Sequence, residues 1–127
     1  MILEDLRQYL VNNAPAGMLH DYVIYYNYDA GLHSENTIVL ALNGGSRSDV
    51  GMKPHVHISV KHKDMQAAEI TANVVFETFY PKKQYQKPIA VNDMTMCVTA
   101  DSQPYYEGKD KSGRHVYVFD LSIVHTR

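Results

Sequence analysis

"HVHISVKHKDMQAAEITANVVFETF", residues 55–79, joins two hydrophobic periods end to end. Over 55–62 the residues alternate, with Val56, Ile58 and Val60 on one side and His55, His57, Ser59 and Lys61 on the other. That is the period of a strand with one buried face. From Met65 the period lengthens, and Met65, Ala68, Ala72, Val75, Phe76 and Phe79 fall along a single helical stripe. Asp64 sits where a helix N-cap belongs, and Pro81 supplies a stop. The spacing therefore predicts a strand over 55–62 and a helix over 65–80.

Outward from this unit, "TIVLAL" (37–42) is a short apolar run that reads as a strand buried on both sides. "NGGSRSDVGMKP" (43–54) reads as a wide turn, and "DYVIYYNY" (21–28) as a strand. "DAGLHSEN" (29–36) reads as a loop. At the N-terminus Ile2, Leu3, Leu6 and Leu10 have helical spacing. Glu4 and Asp5 are expected on an exposed first turn, where they offset the helix dipole. Asn12, Asn13, Pro15 and Gly17 end that helix.

Toward the C-terminus, "IAVNDMTMCVTA" (89–100) reads as a strand whose inward parity switches, which a bulge or turn at Asn92-Asp93 would explain. The last strand sets Tyr117, Phe119, Leu121 and Ile123 against Val118, Asp120 and Ser122. The expected fold is α+β, a single domain over 1–127. It has a mixed or mostly antiparallel sheet of four to five strands, with two helices packed on one face.

Composition narrows the function classes. The 127 residues carry 12 basic and 14 acidic side chains, a net charge of −2. Such a balance gives no long-range pull on a polyanion, so no specific or backbone-directed nucleic-acid binding is expected. The single cysteine, Cys97, excludes an internal disulfide and a multi-cysteine zinc site, and it suits a reducing cytoplasm. No apolar run has membrane-spanning length, and the acidic N-terminus does not read as a secretory signal.

Reactive constellations are weak. His55 and His57, at i and i+2 on a strand, share a face and form the one candidate metal pair, with His62, His115 or Cys97 as conceivable third ligands. A solvent-facing pair explains the alternation equally without metal. "LNGGSRSDVGMK" (42–53) lacks P-loop spacing and leads into a strand instead of a helix. Cys97 sits in the alternating segment "MTMCVT", where a buried or half-buried thiol is the ordinary outcome, and Ser46 and Ser48 are loop residues with no assignable base, so no catalytic residue and no cofactor are expected. The remaining signal is 10 tyrosines without a tryptophan, several of them clustered at Tyr25, Tyr26 and Tyr28, Tyr80 and Tyr85, and Tyr105 and Tyr106. Tyrosine joins large contact area to a polar end, which suits protein interfaces as well as a sheet face under a helix.

The stretch "IVLALNGGSRSDVGMKPHVHISVKHKDMQAAEITANVVFETF" (38–79) resembles the middle of the minor capsid or tail-completion (tail terminator) proteins of long-tailed bacteriophages. "QPYYEGKDKSGRHVYVFDLSIV" (103–124) resembles that family's ending. Gly44, Gly45 and Pro54 carry the first match; Pro104, Tyr105, Gly108, Asp110, Gly113 and Arg114 carry the second. "SRSDVGMK" (46–53) departs from the family pattern.

The resemblance implies a virion protein, made in the bacterial cytoplasm, that forms a ring with copies of itself, commonly a hexamer. The ring would sit at the head-proximal end of the tail, touching the tail-tube protein and the head connector. A head-to-tail ring needs two different complementary patches per subunit. The turn 108–113, with Tyr105, Tyr106, Lys109, Asp110, Lys111 and Arg114, is one expected contact. The stretch 43–54, with Arg47 and Asp49, is the other. The competing readings are a head-completion or neck protein of the connector, and a small metal- or ligand-binding module using His55 and His57.

Overall fold

A computed structural model describes residues 2–29, 35–48, 51–80, 89–91 and 94–126. Its elements are α1 (Ile2–Asn13), β1 (Tyr22–Tyr26), β2 (Asn36–Ser48), β3 (Gly51–His62), α2 (Met65–Phe79), β4 (Ile89–Val91), β5 (Met94–Ala100), β6 (Tyr105–Lys109) and β7 (His115–Thr126). The fold is α+β. The strands form one sheet of seven in the order β1-β2-β3-β7-β5-β4, with β6 also paired to β7. Among the described residues only β1 and β2 run parallel; every other pair is antiparallel.

The register explains the core. Leu40 lies opposite Ile58, and Ile58 opposite Phe119; Val60 is likewise flanked by Ile38 and Tyr117. Cross-strand partners share a face, so these alternating residues gather on one side of the sheet. Leu3, Leu6 and Leu10 of α1 and Ala68, Ala72, Val75 and Phe79 of α2 close over them and are likewise buried. Phe76 meets Phe119 edge-on with ring centroids 5.3 Å apart, and Tyr9 stacks on Phe79 at 6.0 Å, which ties α1 to α2. Burial of each such side chain contributes about 1.5–3 kcal/mol.

Asp64 caps α2 as expected, accepting the Ala67 N–H at 3.0 Å. The helix ends at Phe79, where the Tyr80 N–H donates to the Phe76 carbonyl at 2.8 Å. Pro81 and the Asn92-Asp93 step lie outside the described residues.

Three expectations need correction. The sheet has seven strands where four to five were expected. The additions are short: β4 has 3 residues, too few to show a period, and β6 is nearly all exposed and shows no alternation. Residues 43–54 are not a wide turn. The β2–β3 ladder continues through Gly45↔Pro54, Ser46↔Lys53, Arg47↔Met52 and Ser48↔Gly51, after a register shift between Leu42 and Gly45. Glycines and polar residues resemble a turn in sequence because they carry no alternating hydrophobic period. Finally, Asp5 is buried at 5% exposure, not displayed on an outer turn.

Candidate assembly surface

The expected contact turn is built around one ion network. Asp110 Oδ1 accepts the Ser112 N–H at 2.9 Å and the Arg114 N–H at 3.0 Å, folding the chain back on itself. Gly113 takes φ of 82°, a conformation other residues adopt only with strain. The Arg114 side chain then runs inward and is 6% exposed. Its Nε donates to Asp110 Oδ2 at 2.9 Å, Nη2 to Asp29 Oδ2 at 2.9 Å and Nη1 to the Glu35 carbonyl at 2.9 Å. Thr37 and Lys61 also bond Asp29 Oδ2, at 3.0 and 3.2 Å. Arg114 thus pins the β6–β7 turn to the β1–β2 connection. It bears on any interface through the turn it holds, while Lys109 and Lys111 remain exposed.

Burial pushes the Asp110 carboxyl up, but the hydrogen bonds and charge of Arg114 outweigh it and hold the group below the usual carboxylate range. A deletion of 109–112 would remove this carboxylate and disturb the fold as well as the surface.

The tyrosines divide between two roles. Tyr22 donates to Thr71 Oγ1 at 3.0 Å and Tyr117 to Glu69 Oε2 at 3.2 Å, each tying the sheet to α2. Burial raises the pKa of both hydroxyls, and Glu69 adds to the shift at Tyr117. Tyr105 and Tyr106 instead remain 49% and 40% exposed on β6. The ring of Tyr106 leans on Tyr117 at 5.2 Å, and its hydroxyl lies 2.9 Å from His115 Nδ1.

Among the described residues the β2–β3 ribbon beyond Pro54 pairs only with itself: β1 borders β2 over Asn36–Leu40, and β7 borders β3 over His55–His62. The outer stretch, residues 45–48 and 51–54, is therefore a two-stranded arm. Arg47 lies on this arm, opposite Met52; Asp49 lies outside the described residues.

His55 and His57 point away from the helices, as their alternation predicts. His57 Nδ1 lies 2.7 Å from Asp120 Oδ1. His55 Nδ1 lies 2.9 Å from Ser122 Oγ, whose hydroxyl donates to Asp101 Oδ2. This is a serine–histidine–aspartate trio, but its geometry does not activate the serine. The carboxylate takes the hydroxyl hydrogen directly, and both partners meet the same ring nitrogen, whereas a nucleophilic triad places the carboxylate on the far one. The other conceivable ligands lie elsewhere: His62 pairs with His115 at the C-terminal end of β3, and Cys97 of β5 pairs with Val124 of β7. Among the described residues no group of three or more His, Cys, Asp or Glu side chains could hold a metal ion. Sequence reasoning missed Asp29, Asp101, Asp120 and Ser122, because each meets its partner through strand register and not through local spacing.

These features define an α+β structural protein whose distinctive chemistry lies on edges, an arm and a braced turn. The chain belongs to the bacteriophage tail terminator protein family, whose model matches residues 19–127. It is a bacteriophage structural protein and a virion component, working among other structural proteins of the particle. A chain from the solved "Virion of native gene transfer agent (GTA) particle" has the same fold, with a TM-score of 0.63 at 12% identity over 97% of this chain and 93% of that one. No curated protein sequence matches. No helix among the described residues is long and apolar enough to cross a membrane.

Proposed function

We propose that copies of this chain assemble as a ring, a hexamer in the family pattern, at the head-proximal end of the tail tube. The ring stops tube growth and presents a docking surface to the head connector, and no bond is made or broken. Family membership identifies the particle, and the observation that carries the assembly reading is the self-paired arm. An isolated two-stranded ribbon is marginal in water, so an arm of this length is accounted for by a partner outside its own subunit. The exposed Tyr105, Tyr106, Lys109 and Lys111 supply a further contact patch on the body of the subunit.

The test is genetic and microscopic. Phage-producing cells lacking this chain should yield tubes of uncontrolled length and heads without tails, and supplying the protein should restore both. Tails of normal length joined to heads in its absence would refute the reading.

A further inference from the structure

Among the described residues the strands β1 and β6 each pair on one side alone. The first, β1, borders β2 in parallel register from Tyr22↔Asn36 to Tyr26↔Leu40. In a parallel ladder alternate residues turn both backbone groups toward the neighbour. The Asn27 N–H donates to the Leu40 carbonyl at 2.8 Å, which fixes the phase: Val23 and Tyr25 address β2, and Ile24 faces away. The Tyr22 N–H is taken by the Leu19 carbonyl and the Tyr26 carbonyl by the Tyr28 N–H. Among the described residues this leaves the Tyr22 carbonyl, both groups of Ile24 and the Tyr26 N–H along an open edge.

Natural edges are blunted by lysine, proline or a bulge, and "YVIYY" has none of these. A groove of about 460 Å³ follows this edge, lined in part by Val11, Pro15 and Val23. Val11 is 51% and Val23 40% exposed.

On the far side of β7, β6 pairs with β7 alone, and four of its five residues are exposed; its register shift between Tyr106 and Gly108 and its terminal Lys109 blunt it against like edges, not against one that offers a carboxylate. Followed through the ladder, β6 runs opposite to β1. A rotation about an axis along the strands therefore brings β6 of one copy antiparallel to β1 of the next. That orientation sets Lys109 at the end of β1 where Asp21 stands, its carboxylate side chain 65% exposed. The apolar start of β6, Tyr105, then meets Tyr26, beside which Arg7 is held. The reverse orientation would bring Lys109 to Arg7.

We propose that β1 and β6 are the two halves of one subunit contact, β6 adding to the open edge of β1 on a second copy so that the sheet continues from subunit to subunit. Such a contact is heterologous and is completed only by closure into a ring, so the inference rests on the assembly proposed above and names its interface.

Amide hydrogen exchange on the ring formed at tail tubes tests it. The Ile24 and Tyr26 amides should exchange more slowly than in the dilute single chain by at least about a hundredfold. Ile24→Pro, which removes the outward donor and leaves the bonds to β2, should cut ring formation at least about tenfold. Val23→Lys, an exposed change that sets a like charge near Lys109, should weaken it with unchanged thermal unfolding. A ring in which the Ile24 and Tyr26 amides exchange freely overturns this interface while the assembly reading stands. A chain that forms no ring on tail tubes overturns both.

Discussion

At the scale of single residues Arg114 joins the β6–β7 turn to the β1–β2 connection. Its guanidinium serves two carboxylates and a carbonyl from within a largely buried site. Removing one member of such a network leaves the others desolvated and unpaired. Arg114→Ala should therefore cost about 3–5 kcal/mol of stability in denaturant unfolding, and Arg114→Lys should not restore it, because an ammonium lacks the planar fork. The same site predicts an acid limb. The Asp110 carboxyl has its pKa lowered in the folded chain, so its stabilising effect is complete above the ordinary carboxylate value and fades as pH falls through the lowered one. Stability measured from pH 6 downward should decline more steeply in the native chain than in Asp110→Asn. The pair Asp110 and Arg114 was visible in the sequence as a turn motif. Its third member, Asp29, was not, since 85 residues separate it from Arg114 and only the β2–β3–β7 register brings them together.

At the scale of elements, legibility followed burial. β3 and α2 could be read because each has one apolar face, and Asp64 was found because a cap obeys a local rule. Asp64→Ala should lower stability by about 1 kcal/mol, read as a drop in thermal midpoint with the sheet intact. β6 could not be read, because a strand whose side chains are nearly all exposed has no alternation to display, and the arm could not because its glycines and polar residues carry no hydrophobic period. Tyr105 and Tyr106 fall on an open edge strand, and Gly44 and Gly45 fall where the β2–β3 register shifts.

For the whole molecule, the architecture separates what folds the chain from what serves contact. The core lies between two helices and one face of the sheet, and the described register of the arm runs only between its own two strands. Cutting 45–53 down to an Asn-Gly turn, a connection that suits two antiparallel strands, should therefore change stability by no more than about 0.5 kcal/mol, as for surface changes generally. Assembly should respond differently. If the arm reaches a neighbouring virion subunit, the trimmed chain will unfold at the native temperature yet fail to restore tail length or head joining in cells lacking the native protein. Unfolding well below the native midpoint would show that the arm belongs to the fold instead. Full complementation by the trimmed chain would show that the arm makes no required contact, and would leave β6 and the open edge of β1 as the surfaces on which a ring must be built.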